Sequence, residues 1–385
     1  MEQGLACTVA GRCGGCPSIS TPYAEQLTHK RDALVAAWRE AGLPEAALEA
    51  LTVHSAGAGG LRDRTDLTFQ RVEGAPVLGL WALDRQELVP VGACPMASDA
   101  LRAFMVDLAA DPPPIDRASL RLRVAPDGRR GLWIDAANAD IKVLLDEEAW
   151  LTRQLASAHV EMGQRRKTLF VAEDRLRLQK NPELHPWFQT WVDGADGLTP
   201  VPLFGTVGGF SQPGLATNRL LVERVLGRVR PLGAVRWLEL GAGSGNFTLP
   251  LASVAAEVTA AETDPLARQG LERSAAEAGL SDRIDAISAN MHRADGHLIG
   301  LVAAADAIFA DPPRSGLRAF VDALAAVGSG EGPRDLVYVS CFADSLIADL
   351  ARLAELGWGA VSVEGIDQFP QTEHGEWLVH LQRAG

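Results

Sequence analysis

Cys341 closes the apolar run Asp335-Leu336-Val337-Tyr338-Val339-Ser340. A thiol carried to the carboxyl edge of a strand, at the start of a following helix, is placed to act as a nucleophile, and the helix dipole is expected to lower its pKa. The later segment Asp367-Gln368-Phe369-Pro370-Gln371-Thr372-Glu373-His374-Gly375-Glu376 is a polar loop with two candidate general bases, His374 and Glu376. Trp377, an apolar neighbour, is expected to raise the Glu376 carboxyl towards neutrality. Asp311-Pro312-Pro313-Arg314 follows another apolar run. Its prolines fix φ and cannot continue a ladder, so the loop is stiff and holds its carboxylate at the same edge. Amino-methyl transfer would call for an aromatic residue where Arg314 stands, which disfavours that chemistry.

A second constellation binds rather than reacts. The run Val235 to Leu240 leads into Gly241-Ala242-Gly243-Ser244-Gly245-Asn246-Phe247 and then a helix. Glycines let the backbone pass close to a ligand, and a helix N-terminus offers unpaired N–H groups. Glu262 ends the next strand, where a carboxylate can accept hydrogen bonds from both ribose hydroxyls. Dinucleotides and S-adenosylmethionine share this arrangement, and bulky Phe247 brings the loop closer to the S-adenosylmethionine form. Cys7, Cys13 and Cys16 lie within ten residues and Gly14-Gly15 separates the last two, while Cys94 in Gly92-Ala93-Cys94-Pro95 is the fourth candidate ligand. Four thiols can bind zinc tetrahedrally or hold an iron–sulfur cube, and the uneven spacing favours the cube.

These residues need elements to position them. Strands Val235 to Leu240, Val258 to Glu262, Ile284 to Ser288, Ala307 to Ala310 and Leu336 to Ser340, separated by helical stretches, predict a doubly wound parallel sheet. The runs Ala360 to Ile366 and Trp377 to Gln382 predict a closing antiparallel pair. Upstream, Leu67 to Phe69, Val77 to Trp81, Leu120 to Val124, Gly131 to Ile134 and Leu198 to Val201 read as strands of a mostly antiparallel region. Helices are expected over Tyr23 to Ala41, Glu147 to His159 and Asn218 to Val229.

With 385 residues, 47% of them hydrophobic, the chain has material for two or three domains, and collagen-like, disordered and disulfide-dense classes are excluded. No secretory signal or membrane span is read from it, so a cytoplasmic protein is expected. Lys and Arg total 36 against 49 Asp and Glu, a formal charge of −13, which by itself does not announce a nucleic-acid binder. Local runs soften this: Arg121, Arg123, Arg129 and Arg130 form one, and Arg165, Arg166, Lys167, Arg175, Arg177 and Lys180 another. A basic face on the middle of the chain is expected.

Taken in order, these segments resemble the RNA uracil-5-methyltransferases, the S-adenosylmethionine-dependent family that makes 5-methyluridine in transfer and 23S ribosomal RNA. The resemblance rests on Cys7/Cys13-Gly-Gly-Cys16 with Cys94, the Gly241 to Phe247 loop, Asp311-Pro312-Pro313-Arg314-x-Gly316, Val339-Ser340-Cys341, and Phe369-Pro370-Gln371-Thr372-x-His374-x-Glu376. It implies an α/β fold: a class I methyltransferase doubly wound sheet in residues 201–385. A smaller, mostly antiparallel α+β iron–sulfur and RNA-binding region would occupy residues 1–200, with the helix at about residues 20–42 packing on the catalytic domain.

The resemblance further implies Cys7, Cys13, Cys16 and Cys94 as ligands of a 4Fe-4S cluster. Gln212, Gly241, Asn246, Glu262, Asn290 and Asp311 would contact S-adenosylmethionine, Cys341 would be the nucleophile and Glu376 the base. Arg62 and Arg64 would meet RNA. The expected reaction is methyl transfer to uridine C5 through a covalent Cys–C6 adduct, by a monomer, on 23S rRNA in preference to tRNA. Only six residues precede Cys7, so the small N-terminal β-barrel carried by some members is expected to be absent. The chain departs from the family pattern at Pro17, Gly214 and Phe342, and the departures at Gly214 and Phe342 motivate an alternative, a protein that binds cofactor and RNA without turnover.

Overall fold

The computed structural model describes residues 5–163, 167–172, 175–180, 183–328 and 331–384. The C-terminal half is built on an eight-stranded sheet in the order Val53–His54, Trp358–Ile366, Glu376–Arg383, Asp335–Ser340, Ala307–Ala310, Arg236–Leu240, Glu257–Ala261, Ile284–Ile287. Glu376–Arg383 alone runs antiparallel to its neighbours. The central strands read as unbroken apolar runs because helices cover both faces. On one side Leu34 and Trp38 of helix Tyr23–Glu40 pack with Leu298, Phe320 and Leu350. On the other, helices Leu215–Val229 and Thr248–Val254 bury Leu221, Val225 and Leu251 against Trp237 and Phe309.

Strand order reverses at Arg236–Leu240, which pairs with Glu257–Ala261 on one side and Ala307–Ala310 on the other. Open α/β sheets bind ligands in the crevice beyond such a point. Glycine loop, Glu262, Asp311 and Cys341 each directly follow a parallel strand, so they share its carboxyl edge. Glu376 begins the antiparallel strand and therefore stands at the same edge.

The N-terminal half carries a second eight-stranded sheet, running Leu88–Pro90, Ala75–Trp81, Arg64–Val72, Arg117–Val124, Arg130–Asp135, His159–Met162, Lys167–Ala172, Arg175–Lys180. All its pairings are antiparallel except Arg130–Asp135 with His159–Met162, whose connection contains a helical crossover. Phe69, Leu120 and Leu122 pack there with Phe104 and Met105 of helix Asp99–Ala110. The helix expected over Glu147 to His159 is the shorter Glu148–Leu155, preceded by a second helix, Asn138–Asp146, across non-helical Glu147 (φ −95°, ψ 63°), and His159 already begins a strand. The hairpin His185–Gly194/Gly197–Gly205 packs Phe188 and Leu203 onto Leu249 and Ala275, against the C-terminal sheet's helices. Among the described residues no helix is long and apolar enough to cross a membrane.

Candidate active site

A cavity of about 700 Å³ opens at the carboxyl edge of the C-terminal sheet. Gly241, Gly243, Glu262, Asp311, Arg314, Cys341 and Glu376 line it from that sheet, Phe210 and Gln212 from the preceding segment, and Arg64 and Arg123 from the N-terminal sheet. Both halves of the chain therefore build its wall.

The glycine loop forms part of the wall. Gly241, Gly243 and Gly245 have φ of 77°, 57° and 100°, left-handed conformations that disfavour a side chain. A Cβ on Gly245 would also come within 2.6 Å of Leu271 Cδ1. The loop bends over the Glu262 carboxylate, whose Oε2 accepts from the Gly243 N–H at 2.9 Å and whose Oε1 accepts from the Asp264 N–H at 2.7 Å. Gln212, buried, donates to Asp311 Oδ2 at 3.4 Å and accepts from Gln368 Nε2 at 3.2 Å. An aligned carboxylate beside an open glycine cradle offers the acceptors and close backbone approach that a nucleoside-bearing ligand needs, and Gln212 and Asp311 line the same cavity. Asn246 is not among the cavity's lining residues. Its amide pairs reciprocally with that of buried Asn218, at 2.8 and 2.9 Å, and so braces the loop from behind. Asn290 is exposed and its Oδ1 accepts from the His292 N–H at 2.9 Å.

Cys341, Glu376, Asp311 and Arg314 line the same cavity. Burial raises the Cys341 thiol to about 11, and Glu376 and Asp311 push in the same direction, while Arg314 opposes them. The expectation of a depressed thiol pKa is thus corrected: helix Ala343–Glu355 starts two residues on, and desolvation with two nearby carboxyls outweighs its dipole. Glu376, buried where its strand pairs with Ile366, is raised well above the carboxylate range by desolvation and then by Asp311. The direction matches the sequence expectation, but the cause includes a second carboxyl rather than Trp377 alone. Asp311 is raised by burial.

Sequence reasoning missed Phe210, which is 72% exposed with the Arg64 guanidinium 5.5 Å from its ring centroid, and the linking glutamine Gln368. Gln368 sits in the same motif as Glu376, and that proximity was the available signal.

Cys7, Cys13, Cys16 and Cys94 line a separate cavity of only about 50 Å³, together with Arg62, Leu80 and Met105. Among the described residues no group of three or more His, Cys, Asp or Glu side chains is disposed to hold a metal ion. The expected 4Fe-4S cluster, and metal binding by these cysteines, are therefore corrected. Burial raises the Cys13 thiol and lifts Cys16 to about 11. All five cysteines are free. Arg62 turns into this small cavity, whereas Arg64 lines the large one.

The first basic run forms no open face. Arg121 pairs with Asp66, Arg129 with Asp127 and Arg130 with Asp107, and Arg123 is buried, donating to the Thr206 and Gly209 carbonyls. Arg175, Arg177 and Lys180 of the second run are exposed on the edge strand. Arg165 and Arg166 lie outside the described residues.

The family model described as tRNA (Uracil-5-)-methyltransferase matches residues 205–384. An uncharacterized RNA methyltransferase of Bdellovibrio bacteriovorus is 38% identical over 98% of this chain and 95% of that one. The 23S rRNA (uracil(1939)-C(5))-methyltransferase of Chromohalobacter salexigens is 30% identical over 98% of this chain and 76% of its own length. Among solved structures, the Pyrococcus abyssi tRNA (uracil-54, C5)-methyltransferase in complex with S-adenosyl-L-homocysteine superposes with a TM-score of 0.67 at 18% identity, over 95% of this chain and 85% of that one.

Proposed function

The chain belongs to the RNA uracil-5-methyltransferases, enzymes that carry a methyl group from S-adenosylmethionine to C5 of uridine in RNA, and from that premise we propose that it works through a covalent Cys341–C6 adduct on a uridine of 23S ribosomal RNA. The observation that carries the mechanism is the convergence of Cys341, Glu376 and Arg314 with the glycine loop on one cavity. The relative from Chromohalobacter salexigens supports the ribosomal target.

Uracil C5 is a weak nucleophile until C6 is attacked. Cys341 Sγ adds to C6, and the displaced electron pair passes into the ring as an enolate that makes C5 nucleophilic. Bound S-adenosylmethionine supplies the electrophilic methyl group for C5. Glu376 then takes the C5 proton, the C6–S bond breaks, and its electron pair returns to Cys341 as thiolate. The raised pKa of Glu376 makes it a stronger base once ionised, and Arg314 favours the thiolate at both ends of the cycle. A stacked uridine hides C6, so the base must be flipped out, and exposed Phe210 offers it or its neighbour an aromatic face.

In this reading residues 1–200 chiefly bind RNA and 201–385 carry the chemistry. A monomer working in the cytoplasm is part of this reading, and five free thiols suit that reducing compartment. RNA containing 5-fluorouridine is the direct test. The intact protein with S-adenosylmethionine should form a denaturation-stable adduct, and Cys341→Ala should form none; an adduct that survives that substitution overturns the mechanism. Mapping 5-methyluridine in a strain lacking the gene tests the target. Loss confined to tRNA would overturn the ribosomal assignment.

A further inference from the structure

The loop carrying Phe369 into the cavity and ending at Glu376 hangs from the Ile366–Glu376 strand pair. Its far side is fastened by helix Tyr23–Glu40, on which Tyr23, Gln26 and Lys30 share one face. Lys30 Nζ contacts Asp367 Oδ1 at 2.6 Å, with side-chain exposures of 1% and 0%, and donates to the Phe369 carbonyl at 3.0 Å. Tyr23 donates to the other Asp367 oxygen at 2.6 Å. Gln26 exchanges hydrogen bonds with Gln371: its Nε2 donates to Gln371 Oε1 at 2.8 Å, and its Oε1 accepts from the Gln371 N–H at 3.0 Å. The Ala58 carbonyl accepts from Gln371 Nε2 at 2.9 Å, and the Gln371 carbonyl accepts from the Ser18 N–H at 3.0 Å.

Gln371 is held at φ 68°, a left-handed conformation unfavourable for a residue with a Cβ. Such an outlier persists where its surroundings over-determine it. A buried ion pair is weak evidence for stability in itself. What the ion pair and the strained glutamine have in common is that both fix this loop, and the loop carries the base but not the nucleophile, which ends a different strand.

We propose that Gln26, Lys30 and Gln371 are positioning residues that lock the loop so that Glu376 reaches the C5 proton. The proposal rests on the covalent reading above, and the test separates the two. Because fluorine cannot leave as a cation, the adduct with 5-fluorouridine RNA requires Cys341 but not the base. Gln371→Gly removes the side chain while suiting the left-handed backbone, and Gln26→Leu breaks the lock from the helix side. Expected for both is a kcat lower by about tenfold or more and a KM for S-adenosylmethionine within about twofold of the wild type. Adduct formation with 5-fluorouridine RNA should be unchanged, and adduct should accumulate on ordinary uridine RNA. Parallel loss of adduct formation and turnover in both variants, or unchanged turnover in both, would overturn the lock. Failure of the wild-type protein to form the fluorinated adduct would instead overturn the covalent mechanism and the basis of the lock with it.

Discussion

Glu376, Asp311 and Arg314 all act on the protonation of the Cys341 thiol. With its pKa near 11, the thiol is mostly protonated at neutral pH, so adduct formation should rise as pH climbs towards that value. Arg314 favours the thiolate; Arg314→Gln therefore raises the thiol pKa further and moves the rate profile to higher pH. Adduct formation at pH 8 should then slow, in proportion to the smaller thiolate fraction. Glu376→Gln has the opposite sign on the first step, because it removes a carboxylate that disfavours the thiolate. In that variant adduct should form at lower pH than in the wild type, while turnover falls by about 10²- to 10⁴-fold for want of the base. Rates of adduct formation with 5-fluorouridine RNA between pH 6 and 10 check both signs. Identical profiles for the wild type and both variants would show that these charges do not act on the thiol.

At the level of elements, what could be read from the sequence follows from what each segment buries. Strands Arg236–Leu240, Ala307–Ala310 and Asp335–Ser340 are covered on both faces, so their apolar runs announced the sheet and placed Asp311 and Cys341 at its edge. Strand Arg175–Lys180, half-polar and dependent on its partner across the hairpin, gave no comparable signal. Polar pairings were equally silent. The amide of Asn246 looked like a cofactor contact, but helix Leu215–Val229 buries Asn218, whose amide needs a partner. Lys30 and Gln26 look like ordinary solvent-facing helix positions until the loop beginning at Asp367 covers them.

Gly214, a departure from the family pattern, also has a packing reason. Its backbone lies so close to Leu61 that a Cβ would stand 1.7 Å from the Leu61 carbonyl oxygen, while Asp63 Oδ2 accepts from the Leu215 N–H at 2.8 Å. Gly214→Ala should push the two segments apart at a cost of about 1–3 kcal/mol. The measurement is the denaturant midpoint of the full chain. An unchanged midpoint would mean that this junction yields without strain.

For the whole molecule, the charge of −13 must be reconciled with a polyanionic substrate. Pairing of Arg121, Arg129 and Arg130 with aspartates removes most of the first basic run from that account, and Arg64 and Arg123 serve the cavity wall. The outer edge of the N-terminal sheet remains, where Arg175, Arg177 and Lys180 are exposed along one strand. Charge there also protects an otherwise open sheet edge from pairing with another chain. If the edge is part of the RNA path, reversing it with Arg175→Glu, Arg177→Glu and Lys180→Glu together should weaken RNA binding most at low salt. It should also make the dependence of log K on log salt shallower by about 2, since each phosphate contact to a single strand contributes about 0.7. Turnover at saturating RNA should be unaffected, because the strand lies outside the cavity that holds Cys341 and Glu376. Binding titrations at several salt concentrations decide it: an unchanged slope with unchanged affinity would move the RNA path off this edge and onto the cavity rim around Arg64 and Phe210.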